Sequence, residues 1–340
     1  MSMLRGALIG VGNIALKGHL PAYVQSKKLK EEAEIVAVAD PSSANHAKAK
    51  EILPSVRSYT STEDLFLNER LDFVDICSPP HSRKEIIEAA LELGCHIVCE
   101  KPLATNVIEG RAIAERVKSR NIVFVPCHQY RYAKVWRSVK EIIDRGDLGK
   151  LLLAQFNIFR MKADAGTPDW QSGWRVDPRI SGGGILVDTG SHYFYLLSYL
   201  FGKPLRFTAL TRTLRHHDYP VEDTALVIAE YADFLAQINL TWAADRRENR
   251  NSITGEKGNL FTSGDRILLQ QDGARKELPG EDVSDKSTYV GWYAELLGDF
   301  CDRVEAGNHS TDLLEEALNV LVWTQCCYES AAKRVTVAVG

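Results

Sequence analysis

The chain of 340 residues is 45% hydrophobic, 9% aromatic and 25% charged, a composition that excludes a disordered chain, a collagen-like repeat and a bare coiled coil. Its 41 Lys and Arg nearly balance 45 Asp and Glu, for a formal charge of −4, so nothing calls for nucleic acid or an anionic membrane as partner. No apolar run approaches the roughly 18 residues needed to cross a bilayer, and the length suits about two domains.

Leu4 to Ile9 is a short apolar run ending at Gly10, as a buried parallel strand reads. Although Arg5 precedes apolar residues, the stretch is too short for a signal peptide and runs straight into glycines. Similar runs follow at Ile35 to Ala39, Phe73 to Cys77, His96 to Cys99 and Ile122 to Val125. Helical patterns lie between them. The clearest is Lys84 to Leu93, with Ser82 as N-cap, Glu85 completing a capping box and Gly94 as the left-handed stop. Ser61 with Asp64, and Thr105 before Val107, mark further helix starts. Strands alternating with helices predict an α/β, Rossmann-type doubly wound parallel sheet over residues 1–125.

Beyond that point the pattern changes. A helix over Lys134 to Arg145 and a strand over Leu151 to Arg160 are expected, then a loop from Pro168 to Gly184 and one helix over Ile185 to Phe201. Strands then follow in succession: from Phe207, Ala225 to Tyr231 and Leu235 to Trp242 joined by a turn at Ala232-Asp233, Ser252 to Thr254, Leu260 to Thr262 and Arg266 to Gln270. Helices over Gly291 to Glu305 and Leu313 to Lys333 and a strand over Val335 to Val339 close the chain. Residues 126–340 are therefore expected to form an α+β domain around a large, mostly antiparallel sheet. Apolar side chains such as Phe234, Ile238 and Trp242 suggest a second buried face on it, and hence a homodimer or homotetramer.

Seven cysteines, at 77, 95, 99, 127, 301, 326 and 327, show no zinc spacing and are odd in number. Buried free thiols in a reducing, cytoplasmic setting fit better than a disulfide framework. Neighbouring His216 and His217 with Asp218 read as a polar loop and no metal is expected. Arg246, Arg247 and Arg250 read as a solvated or interface patch.

Gly10-Val11-Gly12-Asn13-Ile14-Ala15 stands where the first strand should turn into a helix. The first glycine allows the tight turn, the second lets a pyrophosphate reach the backbone, and the small third residue permits close helix packing. Asp40, at the end of the second strand, can accept from both adenosine ribose hydroxyls and would repel a 2′-phosphate, which favours NAD over NADP. The alternative for Asp40 is a turn acid before Pro41. Lys101 ends the fourth strand, on the side where ligands bind in such sheets. In a desolvated cleft its pKa would fall and suit proton sharing. Asp188 and His192 are four apart on an expected helix, so the carboxylate could orient the imidazole and raise its pKa. A simple helix-stabilising pair is the alternative.

Together with Glu100-Lys101-Pro102, Ser78-Pro79-Pro80-His81, Tyr130-Arg131-Tyr132, Trp174-Arg175, Gly182 to His192 and Ile253 to Gly258, this pattern resembles the Gfo/Idh/MocA family, that of glucose–fructose oxidoreductase and inositol dehydrogenase. The resemblance spans nearly the whole chain. It implies a dehydrogenase or reductase that transfers a hydride to or from a ring hydroxyl or carbonyl of a sugar, cyclitol or sugar derivative. It implies Lys101, Asp188 and His192 as the catalytic set, with His192 the general base. The dinucleotide site would hold Gly10, Gly12, Asn13, Ile14, Asp40, Ser78, Pro79, His81, Glu100 and Lys101. Arg131, Trp170, Trp174, Arg175 and Asp177 lie on segments that would shape the substrate pocket, an indole beside a guanidinium suiting a sugar face with an anionic or hydroxyl-rich group. Tyr193, Phe194 and Tyr195 after His192 depart from many relatives, which have an acid or amide there. Two alternatives stand beside this reading: a nucleotide-sugar dehydrogenase or ketoreductase, with Arg131 or Arg175 on the anionic group, and a non-catalytic NAD(H)-binding sensor.

Overall fold

The computed structural model describes residues 3–167 and 172–340. Trp170, one of the expected pocket residues, lies outside them.

Six parallel strands form the first sheet: β1 (Leu4–Ile9), β2 (Ala33–Ala39), β3 (Arg57–Tyr59), β4 (Phe73–Ile76), β5 (His96–Cys99) and β6 (Phe124–Pro126), in the order β3-β2-β1-β4-β5-β6. The inner strands are apolar because helices cover both faces, giving two separate cores on either side of the sheet. β3 escapes a sequence reading: its three residues are polar, half-exposed and at the sheet edge. The order reverses between β1 and β4, and the crevice at that switch point is where the glycine-rich turn lies.

Local capping differs in two places from expectation. Ser82 does not cap the helix Arg83–Glu92; its hydroxyl bonds Ser78 and the Pro79 carbonyl instead. The helix Val107–Lys118 starts at Asn106, whose side chain accepts from the Glu109 amide, while Glu109 reaches back to Thr105. Ser61 does cap its helix, and Gly94 takes the left-handed conformation at φ 73°.

The second sheet has nine strands: β7 (Leu151–Phe159), β8 (Arg206–Arg212), β9 (Thr224–Glu230), β10 (Leu235–Thr241), β11 (Glu248–Gly255), β12 (Gly258–Ser263), β13 (Arg266–Gln271), β14 (Ala274–Pro279) and β15 (Val337–Ala338). Their order is β14-β13-β12-β11-β7-β10-β9-β8-β15, antiparallel except for the β7–β10 pair. β14 is nearly all polar and exposed, so it carries no alternation for sequence reading to find. One face packs on the helix Gly190–Phe201 and on Trp323. Ile238 and Trp242 belong to this core, and Phe234 packs against it, which corrects their expected place on a second face. The opposite face carries the exposed side chains Leu210, Leu226, Ile228, Leu235 and Phe261.

The last two long helices return to the first sheet. Tyr289–Glu305 brings Tyr293, Leu296, Leu297 and Phe300 into one of its cores, and Asp312–Lys333 brings Leu314, Ala317 and Leu321 into the other. Chain order therefore does not separate the two packing units at the C-terminus. All seven cysteines are buried and free, as expected of small hydrophobes. No described helix is long and apolar enough to cross a membrane.

Candidate active site

A cleft of about 360 Å³ opens at the C-terminal ends of β1, β4 and β5, between the two sheets. Its floor is the turn after β1. Gly10 holds φ at 91°, and a Cβ there would stand 2.6 Å from the Ser78 amide nitrogen, so only glycine fits. At Gly12 a Cβ would meet nothing within 4 Å, which leaves the backbone open for the close approach of a phosphate. Asn13, Ile14, Ser78 and Pro79 line the same side, and Asn13 Nδ2 donates to the Ala165 carbonyl across the cleft at 3.0 Å.

Two residues expected here sit elsewhere. His81 is exposed and does not line the cleft; the buried Arg83 does, held by the Ser78 carbonyl. Asp40 stands behind the glycine turn and outside the lining. One of its oxygens accepts from the Val11 amide at 2.7 Å, and the other from the Ser42 amide at 2.8 Å and Asn45 at 3.1 Å. Its first task is to hold the turn.

Glu100 lines the cleft but is buried and engaged. Oε1 accepts from Tyr293 and faces His19 Nε2 at 3.2 Å, while Oε2 accepts from the Lys101 amide at 3.1 Å. The other ring nitrogen of His19 faces Asp75 at 2.8 Å, and Tyr23 also donates to Asp75. Burial by itself lowers the His19 pKa, but Asp75 and Glu100 together raise it to about 9. An imidazolium thus bridges two buried carboxylates directly beneath the turn that carries Lys101.

Lys101 Nζ donates to the Asp188 carbonyl at 2.7 Å and lies 3.8 Å from the Asp188 carboxylate. Burial lowers its pKa, with Asp188 opposing that shift. The expected Asp188–His192 pair does not form. The helical segment breaks at Thr189 into Ile185–Asp188 and Gly190–Phe201, so the two residues no longer follow one helical repeat. The Asp188 carboxylate turns to Lys101 and to Arg175, whose Nε is 3.3 Å away. The glycines before it serve packing: a Cβ at Gly184 would stand 2.2 Å from the Glu222 carbonyl.

His192 instead pairs its Nδ1 with Tyr195 Oη at 2.9 Å and stacks on Tyr130 at 4.6 Å. Its pKa is pushed well down, not up, first by burial and then by the charges of Lys101 and Arg160. Tyr195 Oη also accepts from the Tyr130 amide and donates to Gln129 Oε1. With its own proton so committed, Tyr195 takes the Nδ1–H of His192, which leaves Nε2 as the open acceptor. Tyr195 was legible only as one of the three aromatic residues after His192 that depart from many relatives; its partner Gln129 carried no signal.

Trp174 and Arg175 both line the cleft, the guanidinium 4.2 Å over the indole. Arg131 does not. It binds Glu316 at 2.8 Å and lies over Tyr199, lining a separate depression, because Glu316 on the last helix already pairs with the buried His128. Asp177 caps the short helix Pro178–Ser181 and binds Arg179. Arg247, expected on a surface patch, lines the cleft with Arg160, Lys162 and Lys286. Arg160 follows the apolar alternation of β7, and a charge closing a strand is the same signal that marked Lys101.

The fold and this cleft define an oxidoreductase built on an NAD-binding Rossmann domain. Residues 4–128 match the oxidoreductase family with NAD-binding Rossmann fold, and residues 136–261 the GFO/IDH/MocA C-terminal domain. The chain belongs to the Gfo/Idh/MocA family. An uncharacterized oxidoreductase of Synechocystis is 29% identical over 79% of this chain and 74% of its own length. D-glucoside 3-dehydrogenase of Escherichia coli is 29% identical over 60% of this chain and 55% of its own length. Myo-inositol 2-dehydrogenase of Thermotoga maritima is 22% identical over 80% of each chain. Among solved structures, levoglucosan dehydrogenase with NADH and levoglucosan superposes at TM-score 0.85 and 22% identity, over 99% of this chain and 100% of that one.

Proposed function

We propose that the protein oxidises a ring hydroxyl of a sugar, cyclitol or sugar derivative, or reduces the corresponding carbonyl, with NAD as cofactor. The observation that carries this reading is that Lys101 Nζ and a neutral, tautomer-fixed His192 line the same cleft as the open glycine turn. The names of relatives, a glucoside dehydrogenase and an inositol dehydrogenase, point the same way. Gly10, Gly12, Asn13 and Ile14 would hold the dinucleotide, which when bound supplies the hydride acceptor.

The chain itself handles the proton. His192 Nε2 takes it from the reacting hydroxyl, and Lys101, with N–H donors left beyond the Asp188 carbonyl, donates a hydrogen bond to the same oxygen. Asp188 and Arg175 position Lys101 and the pocket wall. Mixing the protein with NAD and a panel of hexoses, anhydrosugars, inositols, hexuronates and hexose phosphates should give NADH absorbance with at least one of them. NAD binding without turnover of any member would leave a sensor instead. From behind the glycine turn, the Asp40 carboxylate would still repel a 2′-phosphate through its charge, so NADP should be poorer than NAD by about tenfold or more in kcat/KM. Equal use of both would end that role for Asp40.

A base works unprotonated, so kcat/KM should rise with pH through the His192 pKa. That pKa is pushed well below the ordinary imidazole value of 6.5, and the acid limb should therefore lie well below 6.5. The alkaline limb should follow loss of the Lys101 proton, below the ordinary lysine range. An acid limb above 6.5 in the kcat/KM profile would remove His192 as the base.

We place a second copy of this chain on the open face of the nine-stranded sheet. The row Phe261, Ser252, Gln155, Gln237 and Ile228 runs across five strands without a charge, and an uncharged row of this length suits a self-complementary contact. Sedimentation should give a dimer or tetramer, and Ile228→Lys should weaken it. A monomer at micromolar concentration would rule the contact out.

A further inference from the structure

We infer that the substrate is an anionic sugar, carrying a carboxylate or phosphate that sits against Arg160 and Arg247. This rests on the oxidoreductase reading above and names the substrate class within it.

Arg160 is buried at 4% exposure, yet its bonds go only to neutral oxygens: the Phe159 carbonyl at 2.7 Å, Asn249 Oδ1 at 2.9 Å and the Glu248 carbonyl at 3.2 Å. All three are made by Nη1, so Nε and Nη2 have no partner among the described residues. Among the described residues no carboxylate lies within 4 Å of this guanidinium. A buried cation without a counter-charge is costly unless a ligand supplies one.

The neighbouring acids are already claimed. Asp164 binds Lys286 at 2.7 Å and reaches Arg247 only at 3.9 Å, and Asp188 is shared by Lys101 and Arg175. Arg247 is fixed by the Ser284 carbonyl at 2.8 Å, a neutral partner. Among the described residues six cations thus meet two carboxylates on the substrate side of the cleft, Lys162 being the sixth, since Glu100 is held by His19. Arg160 and Arg247 line the same cleft as His192, and their charges help to hold its pKa down. Planar guanidinium groups with fixed stems suit a carboxylate or phosphate, and a neutral polyol would leave them unpaired.

The dinucleotide pyrophosphate is the competing counter-ion, and the test separates the two. Aldohexuronates, their methyl esters, aldohexose 6-phosphates and the parent hexoses are compared by NADH formation. The anionic members should exceed their neutral counterparts in kcat/KM by on the order of 10²-fold or more, with KM rising as salt is added. Preference for the uronate identifies a carboxylate as the anion, and preference for the hexose phosphate identifies a phosphate. Arg247→Met should cut kcat/KM for the anionic substrate by about tenfold or more, while the Kd for NAD, read by fluorescence titration, changes less than about twofold. Neutral sugars or esters turned over as well as the acids would overturn this inference and leave the oxidoreductase reading standing. A parallel loss of NAD affinity in Arg247→Met would also overturn it, by assigning the cation to the cofactor. Absence of turnover throughout the panel, with NAD bound, would sink both.

Discussion

Replacing Lys101 by methionine is expected to lower kcat/KM by about a thousandfold while NAD still binds. Methionine fills much of the lysine stem's volume, so the change removes a charge and three N–H donors and leaves packing nearly intact. One donor holds the Asp188 carbonyl at 2.7 Å, and the others are free for the reacting oxygen. Loss of one preorganised donor in a water-poor site costs roughly 10²–10³ in rate, and loss of a proton-handling group roughly 10²–10⁴. A second readout follows from electrostatics. The Lys101 charge helps to depress the His192 pKa, so the acid limb of the residual activity should move up towards 6.5. Arginine should not restore the rate, because its planar fork cannot share a proton and needs more room. Activity within threefold of the parent, or an acid limb that stays put, would remove Lys101 from the chemistry.

His19→Leu is the substitution with the largest expected effect on stability, a loss of about 3–5 kcal/mol. The wild-type ring joins Asp75 and Glu100, both buried, and packs on Tyr293 with centroids 4.0 Å apart. Leucine leaves two buried carboxylates with no cation between them. The same arrangement makes stability depend on pH. The folded-state pKa of about 9 lies above the ordinary 6.5, so the contribution is complete below 6.5 and disappears as pH rises through 9. Its size over that window is on the order of 3 kcal/mol. Urea midpoints at the two pH values should differ for the parent and far less for the variant; a parent midpoint that is flat over this range would mean that the ring is neutral. Activity should fall too, because Glu100 holds the Lys101 amide. Burial against Tyr293 also explains why Gly18 must be glycine, since a Cβ there would meet that ring at 2.5 Å.

The proposed catalytic residues show how far sequence reasoning reaches. Lys101 was found because a strand end in a parallel sheet is a place of function, and the strand was legible as an apolar run. Asp188 and His192 were found as residues of the same cleft, but their pairing was inferred from unbroken helical spacing. The break at Thr189 breaks that spacing and exchanges their partners, giving Asp188 to Lys101 and Arg175 and His192 to Tyr195. The reversed direction of the His192 pKa has the same origin: its surroundings are buried and cationic, and neither property is local in sequence. Arg131 and Arg247 exchanged places for a similar reason. Arg131 was placed in the pocket by the family resemblance and Arg247 on a surface patch by its neighbouring arginines, yet Glu316, 185 residues away, claims the first, and the fold turns the second into the cleft.

What the sequence by itself determined is whatever depends on a few neighbouring residues. The inner parallel strands follow from apolar runs, the turn at Gly10 from its need for a positive φ, the helix end at Gly94 from the same property, and the change to an antiparallel sheet from strands without intervening helices. Tertiary structure alone decided which charges face one another. The His19 bridge draws on β4, β5 and a helix near the C-terminus, and the cationic wall on the end of β7, the approach to β11 and the turn before the helix at Tyr289. A hydrophobic pattern is set by the period of its own element, whereas an ion pair or a depressed pKa depends on distance and burial in space. Only folding brings those groups within reach of each other and removes the water between them.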